Sequence, residues 1–177
     1  MEDSYRITEQ NERLLRKCLT IHGLSHPSYA VVLPLIRETG EILIEVRAAG
    51  ISQAGDPCFP GGRIEPGETP AEAAAREMAE ELGILANPGD FLGRLPAVRT
   101  YLGSLTDVFV CIISEQDTKE MQVNSAEVSC VLRVPVAFFL ERPYAGSFLV
   151  DGHIIWGMTA GAICHFCDAW RRMEQLL

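Results

Sequence analysis

The sequence has no long hydrophobic run and no excess of positive charge. Its uncharged stretches are short and are interrupted by Gly or Pro, so none supplies the roughly 18 apolar residues that a membrane-spanning helix needs. Lys and Arg number 15 against 24 Asp and Glu, and the resulting net charge of -9 disfavours contact with the phosphate backbone of nucleic acids. We therefore expect no membrane and no nucleic acid among the partners of this protein.

The N-terminal segment also lacks the features of a secretory signal. Residues 1–19 carry acidic residues before basic ones, with no apolar segment followed by small residues. Repeats, low-complexity tracts and linkers are lacking as well, and 177 residues is an ordinary length for one domain. We expect a cytoplasmic protein with a single domain over residues 1–177, in which residues 1–24 form an N-terminal helical extension.

The cysteines lack the spacing of a zinc site or of a disulfide framework. Cys164 and Cys167 are separated as zinc ligands often are, but no second pair accompanies them, and they fall inside a predicted helix. In a cytoplasmic protein thiols stay reduced. We interpret all six cysteines as packing residues of the core: Cys18, Cys58, Cys111, Cys130, Cys164 and Cys167.

The pattern of apolar residues predicts strands interspersed with helices. Helical spacing occurs over residues 8–22 and 159–177, and the pair Asp151-Gly152 indicates a hairpin within residues 148–155. A Gly- and Pro-rich loop is expected over residues 48–60. The remaining apolar runs are typical of strands, at residues 29–36, 41–46, 94–102, 107–114 and 128–134. These elements predict an α/β fold, a mixed sheet covered by helices.

Residues 59–84 predict a loop followed by a helix with well-defined ends. Thr69 is a natural N-cap, Pro70 suits the first helical position, and Glu72 completes a capping box. Gly83 suits the left-handed residue that ends a helix. The spacing predicts a helix over 70–82 with one apolar side, formed by Ala71, Ala75, Met78 and Leu82, and one acidic side, formed by Glu77, Glu80 and Glu81.

The acidic side admits two interpretations. It could be a solvated surface on which Glu72, Arg76 and Glu80 form ion pairs along the helix. However, Glu77 lies three and four residues before two further glutamates, and like charges at that spacing destabilise a helix. A divalent cation would remove the repulsion, and Mg²⁺ or Mn²⁺ prefers such oxygen ligands. A backbone carbonyl of the preceding glycine pair could add a further ligand.

At this point the sequence resembles the Nudix hydrolases, whose box is G-x5-E-x7-R-E-U-x-E-E-x-G-U, with U an aliphatic residue. The resemblance implies an α/β/α sandwich and Mg²⁺- or Mn²⁺-dependent cleavage of a diphosphate linked to another moiety. It makes Glu77, Glu80 and Glu81 the metal carboxylates and Gly62 a carbonyl ligand, while Arg76 would brace the loop against the helix together with Glu68. Every specified position of the box is present: Gly62, Glu68, Arg76, Glu77, Met78, Glu80, Glu81, Gly83 and Ile84.

The flanks of the box are similar to those of the coenzyme A diphosphatase subfamily. Arg47-Ala48 and the run Phe59-Pro60-Gly61-Gly62 fit its upstream pattern, and residues 127–136 and 153–160 are similar to its later segments. The interval before Gly55 is one residue short, and Ile51-Ser52 stands where a second Arg is expected. The resemblance implies that Arg47 contacts a substrate phosphate and that Phe59 and Gly61 line the substrate site.

Three functions follow from these patterns. The leading hypothesis is hydrolysis of coenzyme A or acyl-coenzyme A to 3′,5′-ADP and 4′-phosphopantetheine. The alternatives are hydrolysis of ADP-ribose or another nucleoside diphosphate derivative, which the missing Arg favours, and a non-catalytic module that binds a ligand or a protein. In every case the partner is a small diphosphate or its analogue, and a homodimer remains open.

Several flanking residues also have purely structural interpretations. Phe59-Pro60 could only shape a turn, Trp156 and Thr159 could only pack and cap the last helix, and Arg47 could form a surface ion pair. For the acid that removes a proton from water, the candidates outside the box are Asp107, Glu115, Glu120 and Glu127. We favour Glu127, because it follows the polar segment 124–126, where a loop could close over the metals; the alternative is that it caps a strand end.

Overall fold

The computed structural model describes residues 5–20, 26–100 and 102–177. The helices are α1 (Glu9–Cys18), α2 (Pro70–Leu82), α3 (Glu115–Glu120), α4 (Val136–Leu140) and α5 (Gly157–Glu174). The strands are β1 (Tyr29–Ile36), β2 (Glu41–Arg47), β3 (Pro57–Cys58), β4 (Gly61–Arg63), β5 (Gly93–Arg99), β6 (Leu105–Ile113), β7 (Val128–Pro135), β8 (Ser147–Val150) and β9 (His153–Trp156).

The main sheet is mixed, as the sequence predicts. Its central strand β1 runs parallel to β6 and antiparallel to β2, and the order across the sheet is β3-β2-β1-β6-β5. Strand β7 pairs antiparallel with β2, and the short β4 pairs with the start of β1. Since β1 is covered on both faces, its sequence is apolar almost throughout rather than alternating.

Helices cover both faces of this sheet, which confirms the α/β/α sandwich. On one face Met78 and Leu82 of α2 pack in a cluster with Val32 and Leu43. On the other face α1 and α5 bury side chains such as Leu15 and Trp170 against the sheet. The strands therefore fix the two helix layers relative to each other, and α2 is held directly beneath β1 and β2.

The predicted helix at 70–82 is confirmed at both ends. Thr69 and Glu72 form the reciprocal capping box, and Gly83 ends the helix with a φ of 70°. The hairpin is also confirmed, since Asp151 and Gly152 both have positive φ values between β8 and β9. In both cases the conformation is set by residues adjacent in the chain, which is why the sequence alone identifies it.

Several boundaries differ from the predicted ones. Helix α1 ends at Cys18 rather than near residue 22, because Thr20 forms a two-way bridge with Arg94. Strand β5 ends at Arg99 rather than at 102, since Thr100 turns the chain by bonding with Ser104. Helix α5 begins at Gly157, directly after β9. Residues 1–4 and 21–24 of the expected N-terminal extension lie outside the described residues.

Among the described residues, two short strands and two short α-helices are absent from the prediction. Strand β3 lies inside the segment expected to be a loop, and β4 lies at the start of the box. Helix α3 begins with a capping box at Ser114 and Asp117 but buries no side chain, so no apolar periodicity marks it. Helix α4 has only five residues and continues directly from β7. Elements this short depend on their neighbours rather than on their own pattern.

The interpretation of the cysteines as core residues is correct only for some of them. Cys111 and Cys167 are buried, while Cys18 and Cys164 are partly buried. Cys130 is exposed, although Leu132 and Val134, which share its side of β7, are buried. None of the helices in the described ranges is long and apolar enough to span a membrane.

Candidate active site

One cleft of about 550 Å³ lies where α2, the loop after β2 and the start of α5 meet. Its walls come from segments distant in sequence, since Arg47, Gly62, Glu127 and Trp156 all line it. The connection between β5 and β6 forms a further part of the wall. We refer to this cavity as the cleft.

Glu77 and Glu81 reach the cleft from the same side of α2, one helical turn apart. The carboxylate of Glu77 lies so close to Gly62 that a Cβ atom at this glycine would collide with it. Oε2 of Glu81 accepts a hydrogen bond from the Gly61 amide at 2.9 Å. Both glycines of the pair are therefore needed for a close approach, because at Gly61 a Cβ would collide with Val31.

The prediction of one uniform acidic side of α2 is wrong. Glu81 is only 3% exposed and belongs to the buried part of the helix. Glu80, in contrast, is exposed, forms an ion pair with Arg76 at 3.2 Å and does not line the cleft. The reason is that Glu81 faces β4, where the Gly61 amide binds it, whereas Glu80 pairs with Arg76 on the exposed side of the helix.

Arg76 connects the helix with the preceding loop. Its guanidinium forms ion pairs with Glu68 at 2.8 Å and with Glu77 at 2.9 Å, and it donates to the Arg63 carbonyl at 3.2 Å. The Glu68 hydrogen bonds are the main reason that the pKa of Arg76 is raised, so the charge is permanent. Arg76 thus holds both the loop and the Glu77 carboxylate in place.

Sequence reasoning missed a further carboxylate, Glu45 of β2. It is 1% exposed, its Oε1 accepts from the Cys58 thiol at 3.2 Å, and its Oε2 has no hydrogen-bond partner among the described residues. Cys58 itself lines the cleft and is not a core residue. The available signal was strand alternation, because Leu43 faces α2 and Glu45 two residues later shares that side.

Burial dominates the electrostatics of these acids. It raises the pKa of Glu81 to about 9, and the neighbouring Glu45 charge adds to the rise. Burial likewise raises the pKa of Glu45 to about 7, against the hydrogen bond from Cys58. For Glu77 burial raises the pKa although Arg76 lowers it. Each of these carboxylates also experiences repulsion from Glu127, so adding positive charge would stabilise all of them.

These residues fit a divalent cation in charge and in donor chemistry. The available donors are carboxylate oxygens, and Oε2 of buried Glu45 has no hydrogen-bond partner among the described residues, which leaves it available to a cation. In the part of the chain that the structure describes, no three Asp, Glu, His or Cys side chains converge into a finished metal site. Glu77 and Glu80 form ion pairs with Arg76 instead. For this reason the three carboxylates that the resemblance assigns to the metal do not converge on one point.

Among the acids considered outside the box, Glu127 lines the cleft. Its side chain accepts from Asn124 Nδ2 at 3.0 Å, and its carbonyl accepts from the Ala48 amide at 2.8 Å, which ties this loop to the end of β2. Asp107 is buried in an ion pair with Arg94, and Glu115 is paired with Arg133. The remaining candidate, Glu120, is exposed on α3 and is absent from the cleft wall.

Arg47 lies in the cleft wall and is held by the loop that follows it. Its Nε donates to the Ser52 carbonyl at 2.7 Å, and none of the ion pairs in the described ranges involves it. The alternative of a surface ion pair is therefore not what the structure contains. Phe59 and Gly61, the other expected substrate contacts, line the same wall, with Phe59 almost fully buried.

The start of α5 forms the opposite part of the wall. Thr159 is buried and its hydroxyl donates to the Pro57 carbonyl at 3.2 Å, so it ties α5 to β3 rather than capping the helix. Trp156 is the N-cap residue but provides no side-chain cap. Thr106 of β6 and Arg99 of β5 also border the cleft, and no local pattern in the sequence indicates either of them.

Comparison with known proteins places these features in a family. The chain is 32% identical over 149 residues to Nudix hydrolase 3 of Caenorhabditis elegans and covers 62% of it, using 76% of its own length. It is 33% identical over 131 residues to the peroxisomal coenzyme A diphosphatase ndx-8 of the same organism, with 69% of the chain matched to 55% of that protein. The chain thus spans roughly three fifths of the length of these two relatives.

Other matches extend over nearly whole proteins. NudL, a Nudix hydrolase of Escherichia coli K12, is 30% identical over 168 residues, which is 85% of this chain and 86% of NudL. In structure, the Nudix domain of Shewanella oneidensis NrtR, solved with ADP ribose, matches with a TM-score of 0.57 at 19% identity over 88% of this chain and 91% of that one; this similarity concerns the fold. The family model for the NUDIX domain matches residues 26–147, and the chain belongs to the Nudix family of hydrolases, enzymes that act on diphosphate linkages.

Proposed function

We propose that this protein hydrolyses the diphosphate of coenzyme A or acyl-coenzyme A, giving 3′,5′-ADP and a 4′-phosphopantetheine product. One observation carries the proposal. The segments that resemble the coenzyme A diphosphatases, represented by Arg47, Phe59 and Trp156, are more than 100 residues apart at their extremes, yet they line one cleft with Glu77 and Glu81 of the box. The similarity to ndx-8, which is named a coenzyme A diphosphatase, supports the same substrate.

In this proposal the carboxylates of Glu77, Glu80 and Glu81, with the Gly62 carbonyl, hold Mg²⁺ or Mn²⁺. A bound cation of this kind neutralises the diphosphate and lowers the pKa of a bound water. Glu80 would have to leave Arg76 to take part, whereas Glu81 is already fixed by the Gly61 amide. A bound cation would relieve the repulsion between buried Glu81 and its acidic neighbours, so that the Glu81 carboxylate would keep its charge. This relief favours binding of the cation.

The remaining steps use this chain's own groups. The guanidinium of Arg47 binds a phosphate oxygen of the substrate, with its Nε held by Ser52 so that the other donors face the cleft. Glu127 accepts a proton from the attacking water. Phe59 and the glycine pair close the wall behind the diphosphate, and Arg76 keeps the Glu77 carboxylate against Gly62.

The competing substrate is ADP-ribose or another nucleoside diphosphate derivative. The observation that favours it is local: Ser52, at the position expected for a second Arg, contributes only its carbonyl to Arg47. Without that second Arg, the cleft has one positively charged side chain fewer to bind the extra phosphate of coenzyme A. Arg99, which also borders the cleft, can supply a second positive charge from another strand, and for this reason we favour coenzyme A.

The test is incubation with coenzyme A, acetyl-coenzyme A and ADP-ribose in the presence of Mg²⁺ or Mn²⁺, with products identified by mass. We expect 3′,5′-ADP from the first two, no turnover after chelation, and no turnover in Glu81→Gln. Glu120→Gln is the matched control, because this exposed glutamate does not line the cleft. A kcat/KM for ADP-ribose more than tenfold above that for coenzyme A would overturn the assignment of coenzyme A as the substrate. Inactivity on every diphosphate would contradict hydrolysis altogether and favour the non-catalytic binding module.

A further inference from the structure

The end of the cleft that borders α5 differs in charge from the end that borders α2. It is formed by Arg99 of β5, Thr106 of β6 and the residues Gly157, Met158 and Thr159 of α5. Among the described residues, the carboxylates in the cleft wall are those of Asp56, Glu77, Glu81 and Glu127, and none belongs to β5, β6 or α5. We call this region the α5 end of the cleft; of its residues, the proposed function uses only Arg99, as a second positive charge.

Thr106 supplies an unusual feature of this end. It is 0% exposed, and its hydroxyl has no hydrogen-bond partner among the described residues. Thr106 lies directly opposite Val98 in the antiparallel β5–β6 pair, so the two side chains share a face of the sheet. Helix α5 packs over Val98 at Gly161. The Thr106 hydroxyl is therefore directed toward the first turns of α5, and a buried hydroxyl without a partner favours any group that supplies one.

The first turn of α5 carries further unused donors. The amides at the start of a helix have no acceptor within the helix, and here the N-cap residue Trp156 offers no side-chain acceptor either. The first turn contains no acidic residue, and α5 is 18 residues long, so the positive end of its dipole is uncompensated at the cleft. Gly157 has a φ of 58° and open space beside it, which leaves its backbone accessible.

We propose that the α5 end of the cleft is a binding site for a phosphate monoester of the substrate. Amides of Gly157 and Met158 and the Thr106 hydroxyl are donors, and a phosphate offers only acceptors to them. Arg99, whose Nη1 donates to the Gly103 carbonyl at 2.9 Å, adds positive charge at the border of the cleft. This inference rests on the proposed function for its ligand, which is then the 3′-phosphate of coenzyme A. The diphosphate lies at the carboxylate end, so the two anionic parts of one substrate occupy opposite ends of the cleft.

A pair of nucleotides tests the site without catalysis. 3′,5′-ADP and 5′-AMP differ only in the 3′-phosphate, and their dissociation constants are measured calorimetrically for the wild type and for Thr106→Val and Thr106→Ser. We expect the wild type to bind 3′,5′-ADP at least about tenfold more tightly, the size of one hydrogen bond to a charged group. Thr106→Val should lose much of that preference, while Thr106→Ser, which retains the hydroxyl, should keep it.

The outcomes separate this inference from the proposed function. Equal binding of the two nucleotides by the wild type, or an undiminished preference in Thr106→Val, overturns the phosphate site even if coenzyme A is hydrolysed. A preference that depends on Thr106 supports the site even if coenzyme A is not hydrolysed, in which case the substrate assignment fails alone. Valine is nearly isosteric with threonine, and the hydroxyl has no partner in the part of the chain that the structure describes, so thermal unfolding of Thr106→Val should show a folded protein.

Discussion

Glu80 and Glu81 are adjacent in the chain but have opposite surroundings. Glu80 is exposed and paired with Arg76, whereas Glu81 is buried against Gly61 and close to Glu45. At the scale of single residues, the chemistry of the site therefore depends on which carboxylates the sheet covers. Burial makes the charged form of Glu81 costly, so its protonation and its cation binding are coupled to the stability of the fold.

The first prediction concerns this coupling. The pKa of Glu81 is raised from 4.5 to about 9, so between these values the folded state binds a proton that the unfolded state does not. The free energy of unfolding without divalent cations should then fall as the pH rises from about 5 to about 9. Glu81→Gln should flatten this fall, and Glu45→Gln should flatten the part between 4.5 and about 7.

Urea unfolding at several pH values, with EDTA present, measures this dependence. Mg²⁺ should oppose the fall in the wild type, because a cation stabilises the charged carboxylates. Glu120→Gln serves as the control and should follow the wild-type curve, since this side chain is exposed and outside the cleft. A curve for Glu81→Gln identical to the wild type would contradict the assignment of the raised pKa.

The second prediction concerns Glu127. If its carboxylate accepts the proton from water, Glu127→Gln should reduce kcat by about 100-fold or more, the usual contribution of a general base. The affinity for Mn²⁺, measured by calorimetry, should change far less. Glu115→Gln is the matched control, because Glu115 is bound to Arg133 outside the cleft. An unchanged kcat in Glu127→Gln would contradict this assignment and transfer the role to another acid.

At the scale of secondary structure, the site depends on how close the β4 backbone comes to α2. Glycines at positions 61 and 62 allow this approach, and the capping box at Thr69 sets where α2 begins. Moving the start of the helix by one residue would rotate Glu77 and Glu81 by about 100° away from the cleft. The loop and the helix therefore act together, with Arg76 connecting them.

The third prediction follows from this packing. Gly62→Ala places a methyl group against the Glu77 carboxylate, which is the flexible end of a side chain. We expect a loss of stability below about 1 kcal/mol, because the carboxylate can swing aside. Displacing it should nevertheless weaken Mn²⁺ binding and lower kcat/KM by about tenfold or more. Gly89→Ala is the control, since no atom lies near its Cβ position; equal activity in both variants would refute the close-approach argument.

At the scale of the whole molecule, α1 contributes to the same hydrophobic core as the sheet and α5. Leu14 and Leu15 are buried, Tyr5 stacks near Trp170 of α5, and Arg16 donates to the Phe91 carbonyl. We therefore propose that residues 1–177 fold as one domain in which the N-terminal segment is an integral part. Its removal would expose the side of α5 that faces away from the cleft.

The fourth prediction tests that proposal. Leu15→Ala should lower the free energy of unfolding by about 2 to 5 kcal/mol, the range for a fully buried leucine. Removing residues 1–19 should cost more, and α5 should become mobile, which hydrogen exchange would detect. Arg13→Ala is the control because Arg13 is exposed on the same helix. A truncated protein with wild-type stability would show that the N-terminal segment is a separable extension.

The sequence by itself determined the family box, the bounds of α2 and the hairpin at Asp151-Gly152. These features depend on residues within a few positions of each other: Thr69 with Glu72, Gly83 at the end of its own helix, and the positive φ values of a tight turn. The mixed α/β architecture followed as well, because the alternation of strands and helices leaves few arrangements. Local propensity is enough for such features, since tertiary contacts only reinforce it.

Only the tertiary structure decided which acids share the cleft. Glu77 and Glu81 of α2 line it together with Glu127 of the loop before β7, and Glu45 of β2 is buried close to Glu81. The raised pKa values of Glu45, Glu77 and Glu81 arise from burial rather than from spacing in the chain. The same holds for Thr106, whose hydroxyl is buried on the face that it shares with Val98, without a hydrogen-bond partner among the described residues. Desolvation and repulsion depend on distances through space, and the order of residues in the chain does not contain those distances.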